Sequence, residues 1–380
     1  MKILHLYSDW KWTGPAEPVV QMCAALRERG HEVLLAHSPD AHANRESVGA
    51  KARDLGVPAT SEFALNRYLR PLPTLRDMLR LPAFLRRERF DIVHMHLNHD
   101  HVEGALCAKL LGRRAPVLVR TLHSREVLPA NLGYRLQLRQ LTDGWLMFTE
   151  KFRAEYARRF RLPEACTGLQ PMSVDLERFR PDRTWKNLRA EFGVTPETPL
   201  IGIVGRYQKY RRMDLFMAAA KQLLDKLPEA RFVVIGRSSQ MQQTVIEPAE
   251  ALGIRDRLIL TGYRIDDYAD ILAALDLFTL LMPGFDGTAR AVREAMALAV
   301  PCVLPDFGML PEICPHDSTG LIVPREDPAA LAAAWLELLQ NPPRRRALGA
   351  NARREAEARF GMNLVGPALE TFYSRLLARP

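Results

Sequence analysis

The chain has 380 residues, 47% of them hydrophobic and 26% charged, with a formal net charge of +9 and a pI near 9.5. That length exceeds one ordinary core and suits two domains of about 150–200 residues each. No apolar run reaches the roughly 18–20 residues that a membrane span needs, and five scattered cysteines without a C-x-x-C exclude a disulfide framework or a zinc ribbon.

Read in order, the first half alternates strands with helices. Ile3 to Leu6 reads as a short strand, Ser8 to Gly14 as a polar loop, and Glu17 to Arg29 as an amphipathic helix closed by Gly30. Glu32 to Ala36, Asp91 to His96 and Val117 to Leu122 read as further strands. Such alternation predicts a parallel sheet covered by helices, with ligands at the C-terminal ends of the strands. The loop Lys11-Trp12-Thr13-Gly14-Pro15 is then a place where backbone can approach a phosphate, although one glycine equally fits an ordinary strand–helix turn. The opening MKILHLYSDW has too short an apolar run for a secretory leader, so a cytoplasmic protein is expected.

The charge is uneven. Between Asn66 and Arg161 nineteen Lys and Arg face nine Asp and Glu, an excess of ten that exceeds the whole chain's +9. In the run from Asn66 to Phe90, Leu72, Leu75, Leu79, Phe84 and Leu85 make an apolar side, and Arg76, Arg80, Arg86, Arg87 and Arg89 a basic one. Tyr134 to Arg161 repeats the mixture. Two readings stand for both: surface helices packed by their leucines, or a peripheral contact with an anionic membrane or lipid-linked acceptor. His94 and His96 alternate on a strand and so share a face that could hold a metal, but no cysteine completes a ligand set and none is expected.

The second half restarts the pattern. Leu200 to Val204 reads as a strand, Gly205 to Arg212 as a loop with four cations in seven residues, and Asp214 to Leu227 as a helix. Cations between a strand and a helix suit a diphosphate. Strands follow at Phe232 to Ile235, Leu258 to Tyr263 and Asp276 to Leu281, then a glycine-rich loop from Pro283 to Thr288. Thr288 is expected to cap a helix from Ala289 to Leu298, which Pro301 ends before the strand Cys302 to Leu304. The loop and the helix N-terminus suit an anion. The carboxylates Asp286 and Glu294 suit hydroxyls instead, and phosphate with polyol together suggest a sugar nucleotide.

Asp286-Gly287, Glu294-Ala295-Met296-Ala297, Pro301 and Gly308 to Glu312 together resemble the donor-site signature of the retaining glycosyltransferases of family four, E-G-x-G-x-x-x-x-E-A-M-A-x-G-x-P-V-V followed by G-G-x-x-E. The chain departs from it with Asp286 for glutamate, Ala289 for glycine, and Val300 for the glycine before the proline. Arg206 and Arg211 match the arginine and lysine of the family's G-R-x-x-x-x-K-G loop, with Arg212 in place of its glycine. Gly262-Tyr263-Arg264 is similar to its G-Y-x loop beside the nucleobase, His123 to its active-site histidine, and Asp91 to His96 to its D-x-V-H-x-H. Only Gly14, after Thr13, represents the usual Gly-Gly pair. Val174 to Pro181 resembles the stretch before the interdomain linker.

The resemblance implies the GT-B fold: two Rossmann-like parallel-sheet domains facing across a cleft. It places an acceptor domain at 1–181 with a returning helix at 362–380, and a nucleotide-sugar domain at 182–361. It implies retaining transfer from a nucleotide-diphosphate sugar to a glycan or glycolipid, with no cofactor or metal, in cell-envelope polysaccharide or lipopolysaccharide synthesis. Arg206, Arg211 and the helix N-terminus at Gly287 and Thr288 would face the diphosphate, with Gly14 approaching it. Asp286 would face the sugar, Glu294 the ribose, and His123 the sugar or acceptor. Gly262 and Tyr263 would lie at the base. A nucleotide-sugar epimerase of the same fold is the nearest rival, although the acid–base set it would need is not seen. A basic nucleic-acid-binding protein is the rival from another class, and it leaves Arg206, Asp286 and Glu294 unexplained, so no nucleic-acid partner is expected. The expected location is the cytoplasm, with the inner membrane face as its peripheral extension.

Overall fold

The computed structural model describes residues 1–40, 47–68, 70–123, 126–283 and 289–379. They form two compact units, one of residues 1–173 with 362–379, the other of 174–283 with 289–361. Val174 to Pro181 thus lies with the second unit. Asp286, Gly287 and Thr288 fall outside the described residues.

The first unit is built on seven strands: β1 (Lys2–Tyr7), β2 (Glu32–His37), β3 (Ala59–Thr60), β4 (Ile92–Met95), β5 (Val117–Thr121), β6 (Gly144–Met147) and β7 (Thr167–Leu169). All pairs are parallel, in the order β3-β2-β1-β4-β5-β6-β7. The order reverses between β1 and β4, the crevice where open α/β sheets bind ligands. The strands are apolar because helices cover both faces, and Ile3, Leu4 and Leu6 are fully buried. Leu4 and Leu6 join Phe63, Phe84, Phe90 and Val93 in one cluster.

The last helix, Val365–Leu377, packs in this unit, as expected for a returning C-terminal segment. It buries Leu369, Phe372, Tyr373 and Leu376. A side chain at Gly144 would come within 2.3 Å of Leu376, and one at Gly168 within 2.7 Å of Phe372, so these two glycines let the helix reach the sheet.

The second unit has six parallel strands: β8 (Leu200–Val204), β9 (Arg231–Ile235), β10 (Leu258–Gly262), β11 (Leu277–Thr279), β12 (Cys302–Pro305) and β13 (Gly320–Val323), in the order β10-β9-β8-β11-β12-β13. The reversal falls between β8 and β11. Phe216, Phe232 and Trp335 form its aromatic centre, with ring centroids 5.3–6.0 Å apart, and the Trp335 indole donates to Thr279 Oγ1 at 2.9 Å. The α/β class with two parallel sheets is therefore as the sequence predicts.

Three local expectations need correction. The helix expected from Ala289 begins at Arg290, because Ala289 holds φ 45, a left-handed conformation no helix continues through. At the other end of that helix the left-handed residue is Ala299 (φ 58), one position before Val300, so Ala299 fills the glycine place after the helix. Arg212 (φ 57) is left-handed in the same way. Finally, the leucines of the helix Pro71–Glu88 do not form one apolar side. Asp77, Leu81, Phe84 and Leu85 face inward, while Leu72, Leu75 and Leu79 are 80%, 56% and 73% exposed. The two stripes are offset around the helix, and only the first meets the core.

Candidate active site

In the second unit the site elements converge at the C-terminal edge of β8, β9, β10 and β11. Gly205 N donates to Ile235 O at 3.0 Å, and Gly236 N to Gly262 O at 2.9 Å, so the loops after β8, β9 and β10 are stitched side by side. A side chain at Gly236 would meet Gly205 O at 2.1 Å, so this close approach requires glycine. The buried Tyr207 hydroxyl donates to Ile203 O and Ile235 O beneath the basic loop.

Arg206 is exposed and makes no side-chain hydrogen bond or ion pair among the described residues. Arg211 differs. Its Nη1 donates to Met282 O at 2.5 Å, tying the basic loop to the segment that leads into 284–288, while its buried Nε has no partner among the described residues. Arg212 pairs with Asp214 and Glu326, at 2.9 Å each, and is not free for a ligand.

Glu294 lies in the first turns of the helix Arg290–Ala297 and is only 3% exposed. One oxygen accepts from the Tyr268 hydroxyl at 2.7 Å, the other from Arg290 Nε at 2.8 Å. Burial and the neighbouring carboxylate hold the Tyr268 phenol well above its ordinary pKa, so it stays protonated and donates. An ionised carboxylate has about four lone-pair sites, so acceptor capacity remains for hydroxyls. Gly262 takes φ 69, and Tyr263 beside it is 53% exposed with the Arg237 guanidinium 4.5 Å from its ring centroid.

Sequence reasoning missed Tyr268, Arg290 and Arg237. The spacing of Arg290 and Glu294 was a usable signal, since residues four apart share a helix face. Tyr268 stands on another helix and left no such trace.

In the first unit the loop after β1 is pinned from below. Asp100, fully buried, accepts from the backbone N–H groups of Ser8, His96 and Leu97, and Arg120 Nη1 lies 3.4 Å away. Burial raises Asp100 to about 6 even against the Arg120 charge and these three donors, and burial lowers Arg120 to about 10. Both remain ionised at neutral pH. Asp9 accepts from Trp10 N, Lys11 N and Arg67 Nη1 at 2.8, 3.2 and 2.6 Å. Gly14 sits in the exposed turn before the helix Ala16–Glu28 and has no positive φ, so the turn itself does not demand glycine there.

His123 follows β5, with its ring 5.2 Å from Phe148 and 5.7 Å from His96. Beneath it His5, His94 and His96 are fully buried, and ligand atoms from these three lie within 4.8 Å of one another. The sequence showed His94 beside His96, but the register pairing of His5 with His94 adds a third ring. The predicted residues thus fall into two groups: Gly14 and His123 in the first unit, and Arg206, Arg211, Gly262, Tyr263 and Glu294 in the second.

Two family models match successive parts of the chain. The one described as glycosyl transferases group 1 matches residues 186–355, and the one described as glycosyltransferase family 4 matches residues 13–178. The N-acetyl-alpha-D-glucosaminyl L-malate synthase of Bacillus anthracis is 24% identical over 360 residues, covering 93% of this chain and 91% of its own. The lipopolysaccharide core biosynthesis mannosyltransferase LpsB of Rhizobium meliloti is 27% identical over 310 residues, 78% of this chain and 87% of its own. Among solved structures, Anabaena HepE in complex with UDP superposes with a TM-score of 0.79 at 18% identity, covering 98% of this chain and all of that one.

Proposed function

The chain belongs to the group 1 glycosyltransferases, and from that premise we propose that it moves a sugar, with retention, from a nucleotide-diphosphate sugar to a glycan or lipid-linked acceptor of the cell envelope. The observation that carries the reading is the presence, in one unit, of Arg206, without a side-chain partner among the described residues, in the loop after β8, and of the buried, held carboxylate of Glu294 on the helix that follows the neighbouring strand β11. A cation suits a departing diphosphate, and a carboxylate suits sugar-nucleotide hydroxyls. Relatives named for lipopolysaccharide core synthesis and for a diphosphoundecaprenol-linked acceptor favour an envelope product.

In this reading Arg206 meets the diphosphate where negative charge grows as the glycosidic bond breaks, and the guanidinium of Arg211, whose buried Nε–H has no partner among the described residues, adds a second cation. The helix N-terminus before Arg290 adds its dipole, and no divalent ion is required. Glu294 accepts from the ribose hydroxyls and Asp286 from those of the sugar. Tyr263 lies at the base. In the first unit Gly14 offers backbone to a phosphate and His123 a side chain to the sugar or acceptor. Attack on the same face, with the leaving phosphate as base, needs no enzymic nucleophile.

The helix Pro71–Glu88 supports work at an anionic membrane surface on the cytoplasmic side. Its exposed Leu72, Leu75 and Leu79 run alongside Arg76 and Arg80, the arrangement of an interfacial helix. No helix among the described residues is long and apolar enough to cross a membrane.

The test is a donor screen that follows nucleotide-diphosphate release with acceptor supplied, with and without chelator. Release from one sugar nucleotide, insensitive to chelator and giving a product of unchanged anomeric configuration, is expected. Silence across the whole panel would sink transfer, and loss with chelator would sink metal independence. Flotation on vesicles of anionic and neutral lipid at low salt checks the surface, and equal binding to both would refute it.

A further inference from the structure

Four histidines gather where β1, β4 and β5 run side by side. His94 is saturated: its Nδ1 lies 2.6 Å from the Tyr373 hydroxyl and its Nε2 2.8 Å from Thr121 Oγ1. The other three form a line. His5 Nδ1 is 3.0 Å from His96 Nε2, and His96 Nδ1 is 3.5 Å from His123 Nε2. Both ends of the line are open, because His5 Nε2 and His123 Nδ1 are buried without a partner among the described residues. Burial holds all four rings well below their ordinary pKa, His5 and His123 to about 3, so each is neutral at pH 7.

A neutral imidazole carries one N–H and one lone pair. Three such rings joined by two contacts therefore have only two consistent arrangements. In the first, His123 Nε2–H donates to His96, His96 Nε2–H donates to His5, and His5 is left with an orphaned Nε2–H deep in the sheet. In the second, the direction reverses. His5 Nδ1–H donates to His96 Nε2, His96 Nδ1–H donates to His123 Nε2, and the unused N–H is Nδ1 of His123. A permanently orphaned buried N–H is the rarer and costlier defect. The second arrangement leaves a bare lone pair at the fully buried His5 and moves the spare donor to Nδ1 of His123, an atom also buried and partnerless among the described residues but carried by a half-buried residue, where a ligand can meet it.

We propose that His5 and His96 are positioning residues that hold His123 as its Nδ1–H tautomer, so that it presents a hydrogen-bond donor to an oxygen of a bound sugar or acceptor. The ligand's identity rests on the glycosyltransferase reading, whereas the tautomer rests only on the histidine line. A metal held by His5, His94 and His96 is the competing use of the same atoms, and it would have to break one of the two bonds that occupy His94.

The experiment is nitrogen-15 NMR of the full chain labelled at histidine, at neutral pH, with His123→Gln used to assign the His123 signals. The expected result is a protonated Nδ1 and a bare Nε2 on His123. In His5→Asn the amide Nδ2 takes the place of Nδ1 and still donates, so the His123 tautomer is kept. In His96→Leu the line is cut and His123 loses its single tautomer. A bare Nδ1 in the wild-type chain, an unchanged His123 in His96→Leu, or one metal ion per chain by elemental analysis would each overturn the proposal. Should His96→Leu fail to fold, the wild-type spectrum still decides. Absence of transfer activity in the wild-type chain would count against the function above and leave the tautomer result standing.

Discussion

Replacing Glu294 by glutamine tests the donor site most directly. The side chain is 3% exposed and held from two sides, so the amide keeps its place with its one oxygen where Glu294 Oε2 accepts from Tyr268, and the fold loses only the contact of Oε1 to a half-exposed Arg290. What disappears is the negative charge and half of the acceptor capacity. A hydrogen bond to a charged group contributes about 1.5–3 kcal/mol, and about 1.4 kcal/mol is a factor of ten. Glu294→Gln should therefore weaken nucleoside-diphosphate binding by about 10- to 100-fold. Calorimetry on wild type and variant, each with a nucleoside diphosphate and its 2′,3′-dideoxy analogue, forms a double-mutant cycle. If Glu294 accepts from the ribose, the variant should bind both ligands alike, whereas the wild type should prefer the ribose form. A coupling energy near zero would refute the assignment even if the variant bound poorly.

Arg206→Ala should lower kcat/KM about 100-fold or more while thermal stability stays within error, because the guanidinium has no partner to lose among the described residues. A fall in melting temperature of the same protein would show a structural role instead. Ala299→Gly should stabilise the second unit by about 1 kcal/mol, raising its melting temperature by about 2–4 °C, since a left-handed alanine gives way to the residue that tolerates φ 58. Glu103, buried beside Asp77, is raised to about 8 by burial first and by the Asp77 charge second. A carboxyl raised on folding stabilises fully below about 4.5 and loses that contribution as pH rises through about 8. Melting temperatures from pH 5 to 9 should therefore fall more steeply for wild type than for Glu103→Gln, and parallel curves would contradict the raised Glu103 carboxyl.

The alternation of apolar runs with amphipathic segments already determined the class and number of sheets, because strand and helix periods are local properties of the chain. The same holds for the basic loop after Leu200 to Val204 and for Glu294 on its helix, whose spacings are a few residues long. Tertiary structure decided the rest. His94 meets Tyr373 across 279 residues of chain, and Tyr268 reaches Glu294 across 26, so neither contact leaves a periodic trace. His5 became a neighbour of His94 only through the β1–β4 register, which the strand patterns do not specify. Nor could the apolar count of Pro71 to Glu88 tell that Phe84 and Leu85 would be buried while Leu72, Leu75 and Leu79 stayed in solvent. A pattern shows that a helix has apolar residues, but which stripe is covered depends on where the neighbouring elements stand.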